Sequence, residues 1–266
     1  AYNLQLLGVK NVQCVAENGL EFLTKNDPHV DWIYVDPSRR NDSKEKVFFL
    51  ADCLPNVPDH LDLLFSKASN ILIKTSPLLD FSIGLKELKF VKEIHVVAVQ
   101  NEVKELLWIL EKDYKKNIQI KTMNFTKNEE ETFNFDLQEE KESIPTYSKP
   151  LRYLYEPNSA ILKSGAFKLL GTNFKLNKLH EHSHLYTSER CIDFPGRRFK
   201  IVTTLAYQKK ALQKLAITKA NITTRNFPDT VANIRKKHQF KDGGMQYLFF
   251  TTDCDNKLCV LVCTKL

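Results

Sequence analysis

Long hydrophobic runs are missing from this sequence of 266 residues. No apolar segment approaches the roughly 20 residues that a membrane-spanning helix requires, and no amino-terminal signal peptide is visible. The six cysteines are scattered, and no two of them have the CxxC spacing of metal or redox sites. These absences favour a cytoplasmic protein with reduced thiols over a membrane protein or a disulfide-stabilised secreted protein.

What is present is ordinary for a globular protein. Hydrophobic residues make up 42% of the chain and charged residues 27%. The length allows one large domain or two to three small ones. The net charge of +7 is modest, so its distribution along the chain is more informative than its size.

Short apolar runs alternate with helical patterns through the first half of the chain, which predicts βαβ units and a parallel sheet. The run Trp32 to Val35 contains no polar residue and predicts a strand buried on both faces. Asn101 can cap a helix that carries Val103, Leu106, Leu107 and Leu110 at helical spacing. The other predicted elements are strands over 12–15, 71–73, 94–99 and 118–123 and helices over 20–23 and 59–68.

An acidic segment separates the two halves. Residues 126–142 hold seven acids and two lysines. We interpret the segment as a solvated linker or an exposed hairpin, with an acidic functional site as the alternative.

The last part of the second half, residues 199–264, has the order βαβαββ and predicts a small α+β sandwich whose helices lie on one face of the sheet. Cys259 and Cys263 are predicted to be core thiols in its final strand. His180, His182 and His184 alternate, so on a strand they would share one face; we favour an exposed face over a metal site. The predicted elements are strands over 152–155, 176–186, 191–194, 199–205 and 220–224, helices over 158–170, 208–215 and 229–238, a turn at 243–244, and a hairpin of 247–252 with 258–264.

Positive charge is concentrated near the carboxyl end. Between Arg197 and Lys241 there are twelve Lys and Arg residues and one acid, Asp229. Such a patch attracts the phosphate backbone of nucleic acid, and a solvated surface is the alternative interpretation. The residues predicted to contact RNA are Arg197, Arg198, Lys209, Lys210, Arg225, Arg235, Lys236 and Lys237.

Asp36 and Pro37 end the apolar run abruptly and are followed by Arg39 and Arg40. Ligands of open α/β sheets bind at the carboxyl ends of strands. The strand and turn from Val35 to Arg39 resemble the fourth motif of class I S-adenosylmethionine-dependent methyltransferases. Upstream, the segments 9–12 and 17–23 resemble the third strand and turn of that family. The resemblance implies a partial Rossmann-like α/β sheet over residues 1–125, S-adenosyl-L-methionine as cofactor, and cofactor contacts from Asn18 and Asp36.

The likeness extends to bacterial proteins in which a methyltransferase domain is followed by a ferredoxin-like segment and a THUMP-like domain. The segments 152–157, 194–197 and 242–244 carry it. It implies an acidic linker or hairpin over 126–150, a ferredoxin-like segment over 151–197 and a basic THUMP-like α+β domain over 198–266. THUMP domains bind RNA in RNA-modifying enzymes, so the resemblance implies a tRNA or rRNA partner.

Two departures from the methyltransferase pattern matter. The glycine-rich loop after the first strand and the acid after the second have no counterpart, so we expect a carboxyl-terminal fragment that binds the cofactor poorly or not at all and is inactive alone. We also expect that either another chain completes the sheet or residues 12–15 are displaced or paired abnormally. A complete seven-stranded methyltransferase sheet within this one chain, or a deeply buried Asp36, would contradict this alignment. The motif carries Arg39 in place of an aromatic residue, and Lys74 to Pro77 supplies no cysteine nucleophile.

What remains is a positioning mechanism. Asp36, fixed by Pro37, would orient a target amine, Arg39 or Arg40 would hold a phosphate, and Lys74 would face the same crevice. A turn cap for Asp36 and surface charge for the arginines are the alternatives. The predicted function is RNA methylation, and the alternative is a non-catalytic RNA- or ribosome-binding protein with a degenerate Rossmann-like domain. No metal site is predicted.

Overall fold

The computed structural model describes residues 2–38 and 49–266. Its helices are α1 (Tyr2–Leu6), α2 (Gly19–Asn26), α3 (Val57–Lys67), α4 (Phe81–Glu87), α5 (Leu137–Glu142), α6 (Ser159–Ser164), α7 (Leu169–Asn173), α8 (Lys209–Gln213) and α9 (Val231–His238). Its strands are β1 (Val30–Val35), β2 (Ala68–Thr75), β3 (Val91–Val99), β4 (Glu102–Glu111), β5 (Gln119–Phe125), β6 (Glu130–Asp136), β7 (Tyr153–Pro157), β8 (Asn177–Lys178), β9 (Tyr186–Ser188), β10 (Gly196–Ala206), β11 (Lys219–Arg225), β12 (Lys241–Thr252) and β13 (Leu258–Lys265).

The first sheet has six strands in the order β1-β2-β4-β3-β5-β6. The pairs β1–β2 and β3–β5 are parallel, whereas β4 runs antiparallel to both of its neighbours. The sheet is therefore mixed, not parallel as predicted. Ile73, Trp108 and Ile94 lie opposite one another on three neighbouring strands and are fully buried. On this buried face, α4 contacts Trp108 through Phe81 and Gly84.

The helix predicted after Asn101 is wrong, because residues 102–111 form strand β4. Leu106, Trp108 and Leu110 are buried with the period of two that a strand requires. Leucine at 107 also fits a helical spacing, so the local pattern is ambiguous. Gln100 and Asn101 both have positive φ, and they form the two-residue turn that joins β3 to β4 as a hairpin.

Strand β1 lies at the edge of this sheet and is not buried on both faces as predicted. Trp32 and Tyr34 are 51% and 57% exposed, whereas Ile33 and Val35 pack against the core. Residues 12–15 join no ladder with any strand in the described ranges. The strand predicted over residues 12–15 is therefore wrong, whereas the alternative that this segment is displaced from the sheet agrees with the structure.

The acidic segment forms a hairpin with one buried face. Strand β6 pairs with β5, and Phe133 and Phe135 are buried. Glu140, in α5, is also buried and accepts hydrogen bonds from the backbone amides of Phe167, Lys168 and Leu169. The prediction of a hairpin is confirmed, but the prediction that the hairpin is exposed is wrong, because one of its faces is buried.

The second sheet has seven strands in the order β11-β12-β13-β10-β7-β9-β8. The helix predicted over 158–170 is broken at Gly165, whose φ is +80°, into α6 and α7. Helix α6 packs on the first sheet, and Tyr155 and Ile161 share one apolar core with Ile73. The two sheets are thereby joined by a common core.

Strands between 176 and 194 are shorter than predicted. Only β8 and β9 form there, and residues 191–194 are irregular. His180, His182 and His184 lie in the connection between β8 and β9, not on a strand face. In the part of the chain that the structure describes, no group of three or more His, Cys, Asp or Glu side chains could hold a metal.

The predicted order βαβαββ is confirmed from β10 to β13. Helices α8 and α9 cover one face through Leu212 and Ile234, and Cys259 and Cys263 are buried. Burial raises the pKa of each of these two thiols to about 12. Gly243 and Gly244 form an irregularity inside β12 and not a separate turn. None of the helices in the described ranges is long and apolar enough to span a bilayer.

Candidate functional site

The carboxyl ends of β1 and β2 form a charged corner. The parallel register Val35↔Ile73 places Asp36 beside Lys74, whose Nζ lies 2.8 Å from Asp36 Oδ2. The Asp36 side chain is 49% exposed, so it is not buried in the apolar interior. Its hydrogen bond to Lys74 raises the pKa of that ammonium group. Lys74 therefore remains charged and does not act as a general base near neutral pH.

Glu105 is part of this corner and was missed by sequence reasoning. Its Oε1 lies 3.9 Å from Lys74 Nζ, so the ammonium group lies between two carboxylates. Glu105 Oε2 is buried and has no hydrogen-bond partner among the described residues. No sequence signal pointed to this residue, because it reaches the corner only when residues 102–111 form a strand.

A cleft of about 940 Å³ opens beside the corner. Asn18, Tyr34 and Asp36 line it together with an apolar wall that includes Leu20 and Ile33. Asn18 Oδ1 accepts a hydrogen bond of 2.9 Å from the amide of Leu20 and thereby caps α2. Both residues that the resemblance assigns to the cofactor therefore face one cleft.

Pro37 is buried directly after Asp36, and its ring restricts the backbone at this turn. The amide of Ser38 donates a hydrogen bond of 2.7 Å to the carbonyl of Leu54, which ties the turn to the segment before α3. Arg39 and Arg40 lie outside the described residues, so the phosphate site assigned to them stays a prediction.

The cleft fits the implied cofactor, S-adenosyl-L-methionine, only in part. The apolar wall and the Asn18 amide suit a planar base. A ribose needs a hydrogen-bond acceptor for its hydroxyl groups, and Asp36 is the only carboxylate among the residues that line the cleft in the described ranges. Because Asp36 already binds Lys74, the lining does not provide the full set of contacts.

The eight predicted RNA-contact residues divide into two groups. The arginines form ion pairs with carboxylates of the same chain. Glu156, which is only 2% exposed, binds both Arg197 and Arg225. Arg198 pairs with Asp193 at 3.1 Å, and Arg235 pairs with Asp242 at 2.5 Å. A buried carboxylate between two guanidinium groups stabilises the contact of β7 with β10 and β11. These side chains are therefore engaged within the protein.

The lysines are more available to a partner. Lys209, Lys210 and Lys236 are exposed and form no ion pair with another described residue. Lys237 Nζ lies 3.0 Å from the hydroxyl oxygen of Tyr207 and 3.5 Å from Asp229. Among the eight predicted contact residues, the positive charge that faces solvent thus comes mainly from α8 and α9.

Residues 153–195 match the family described as ferredoxin-like domain, and residues 196–265 match the family described as THUMP domain-like. The chain ends in a ferredoxin-like domain followed by a THUMP-like domain. In the ferredoxin-like domain, Glu156 supplies the carboxylate that binds Arg225 of the THUMP-like domain.

The whole fold is similar to a solved structure described as a "putative methyltransferase from Porphyromonas gingivalis W83". The sequences are 35% identical, the TM-score is 0.83, and the match covers 92% of this chain. It covers 62% of the other protein, so this chain spans less than two thirds of its length. No curated protein matches this chain. The predicted resemblance to a methyltransferase fold with ferredoxin-like and THUMP-like domains is confirmed.

Proposed function

We propose that this chain is part of a cytoplasmic S-adenosylmethionine-dependent methyltransferase that acts on tRNA or rRNA. The observation that carries the proposal is that Asp36 and Asn18 face one cleft at the carboxyl end of β1. That edge of an α/β sheet is where ligands bind. The THUMP-like domain and its exposed lysines support RNA as the partner.

The residues of the corner would position a target and not activate a nucleophile. The exposed carboxylate of Asp36 can accept a hydrogen bond from an amine of a base. Lys74 holds that carboxylate and adds positive charge near an incoming phosphate. When bound, the cofactor supplies an electrophilic methyl group. No thiol lines this cleft within the described ranges, so a covalent thiolate intermediate is not part of the proposal.

The ion pair of Asp36 with Lys74 favours one other candidate, a binding protein without catalysis. A carboxylate engaged at 2.8 Å by a charged lysine is partly occupied before any substrate arrives. The incomplete cofactor lining points the same way. In this alternative the first domain supports the RNA-binding end and performs no methyl transfer.

Two measurements separate the candidates. Calorimetry with S-adenosylmethionine tests for the cofactor, and transfer of a radiolabelled methyl group to total RNA tests for activity. Asp36→Ala should lower transfer by about 100-fold, the size of effect expected from a misplaced reactant. Asp31→Ala is the matched control, because Asp31 is exposed on the same strand and does not line the cleft.

Equal transfer by both variants would remove Asp36 from the mechanism. RNA binding without any cofactor binding by the longest natural protein that contains this chain would overturn the enzyme proposal in favour of the binding protein, because this chain alone is expected to bind the cofactor poorly. Both experiments should be run on this chain and on the longest natural protein that contains it.

A further inference from the structure

A second cavity lies in the THUMP-like domain between α8 and α9. Its volume is about 320 Å³, at the small end of the range for ligand pockets. Leu212, Ile217 and Phe240 provide an apolar floor, and Lys209, Lys237 and His238 stand around it. This cavity is separate from the corner at Asp36, since the two share no lining residue.

The charges around this cavity are of one sign. None of the residues that line it in the described part of the chain is acidic. Asp229 lies nearby, but it accepts a hydrogen bond of 2.9 Å from Tyr207 and pairs with Lys237 at 3.5 Å. Lys209 forms no ion pair with another described residue. Two ammonium groups thus border the cavity: Lys209 has no ion-pair partner among the described residues, and Lys237 is paired with Asp229, which lies outside the lining.

The state of His238 agrees with this charge distribution. Its Nε2 lies 3.4 Å from the hydroxyl of Tyr207. Burial lowers the pKa of the imidazole, and Lys237 and Lys209 lower it further against the opposing effect of Asp229. The positive field of the two lysines therefore reaches the imidazole inside the cavity. An anion bound between them would relieve this field.

We infer that the cavity between α8 and α9 binds one unpaired nucleotide of the RNA, with its phosphate on Lys209 and Lys237. The base would lie on the apolar floor of Leu212, Ile217 and Phe240, because stacking and apolar contact recognise an unpaired base without reading its sequence. This inference rests on the proposed RNA partner and deepens it. It assigns RNA contact to this cavity and a structural role to Arg197 and Arg225.

The same domain offers matched controls outside the predicted contact residues. Lys257 and Lys265 are exposed, carry the same charge, and do not line the cavity. The test compares Lys209→Gln/Lys237→Gln with Lys257→Gln/Lys265→Gln, so that both double variants lose two positive charges. The measurement is fluorescence anisotropy of a short fluorescein-labelled oligouridylate and of an RNA duplex of equal length, across a range of salt concentrations.

We expect the cavity variant to weaken oligouridylate binding by about 10-fold or more, and the slope of log affinity against log salt to fall by about 1 for each lysine in contact. The control variant should change affinity by less than about 3-fold, as a distant charge does in salt. The duplex, which has no unpaired base, should distinguish the two variants less than the oligouridylate does.

Lys237 contacts Tyr207, so its substitution can disturb the local fold. A second pair of variants therefore leaves Lys237 unchanged. Lys209→Glu and Lys265→Glu change one exposed residue each, and only Lys209 lines the cavity. Equal weakening by both members of either pair would overturn the cavity proposal and leave an RNA partner in place. If the native chain binds neither probe, the RNA partner of the proposed function fails as well.

Discussion

Glu156 Oε1 accepts a hydrogen bond of 2.9 Å from Arg225 Nη2, although β7 and β11 are four steps apart in the sheet order. In a flat sheet, four steps of about 4.8 Å would separate these strands by roughly 19 Å. The two side chains cannot span that distance, so the sheet curls and brings the edge strand β11 close to β7. Glu156 also binds Arg197, and its carboxylate therefore joins three strands of two domains.

Removing this carboxylate should destabilise the fold. We expect Glu156→Gln to lower the free energy of unfolding by about 3 kcal/mol, the low end for a broken buried ion pair. The low end applies because the arginine side chains are 38% and 34% exposed. Urea unfolding measures the change. Asp193→Asn is the control, since it removes the same charge from a fully exposed partner of Arg198 and should have no measurable effect.

Gly84 should not tolerate a methyl group. A Cβ at this position would lie 2.3 Å from the Trp108 ring, and that ring is fully buried and held by a hydrogen bond of 2.9 Å to Thr75. We expect Gly84→Ala to cost about 1–3 kcal/mol through overpacking, even though alanine favours a helix. The thermal midpoint and urea unfolding both report this loss.

Gly19→Ala is the matched control for that substitution. Gly19 also lies in a helix, α2, but a Cβ there has no neighbour within 4 Å. The effect of Gly19→Ala then depends on helix propensity alone, and we expect it to raise the free energy of unfolding by up to about 1 kcal/mol. The same sign of change at both positions would contradict the steric argument.

His184 should make stability depend on pH. Its ring stacks on Phe167 with a centroid distance of 3.7 Å, and burial, with Lys178, Arg225 and His182 nearby, lowers its pKa to about 4. Below the ordinary histidine pKa of 6.5, His184 is protonated in the unfolded chain but stays neutral in the folded chain until the pH approaches 4. Stability should therefore fall by on the order of 2 kcal/mol as the pH drops from 7 to 4.5, with no contribution from His184 above about pH 7.5.

His184→Asn tests this dependence, because asparagine does not titrate and accepts the positive φ of 52° at this position. A constant difference in the free energy of unfolding between the two proteins does not affect the test; the slope of this free energy against pH between 4.5 and 7 should be smaller for the variant. Parallel curves for the two proteins would show that His184 does not lose its proton on folding.

A substitution in the turn between β3 and β4 should stabilise the fold by relieving backbone strain. Gln100 has a φ of 51°, a conformation that asparagine adopts with less strain. We expect Gln100→Asn to stabilise the chain by a few tenths to about 1 kcal/mol. Asn101→Gln should act in the opposite direction, because Asn101 Oδ1 also accepts a hydrogen bond of 2.7 Å from the amide of Ser159. Unfolding of both variants in urea gives the two signs.

Local sequence signals predicted some of the fold and part of the candidate site. The order of elements from β10 to β13 follows from clear changes of period, and the end of β1 at Asp36 follows from an apolar run and a proline. The strand β4 could not be predicted in this way, because its apolar residues also satisfy a helical spacing: Val103, Leu106, Leu107 and Leu110. Only pairing with β2 and β3, which are distant or hidden in the local pattern, favours the strand over the helix.

By itself, the sequence determined the identity of the charged corner, the basic character of the carboxyl-terminal domain, and the resemblance that joins them. Only the tertiary structure decided which charges are available. It brings Glu105 to Lys74 and commits Arg197 and Arg225 to Glu156, while Lys209 remains exposed beside an apolar cavity. The physical reason is that a charged side chain binds the nearest opposite charge in space, and strand pairing between distant segments sets that distance.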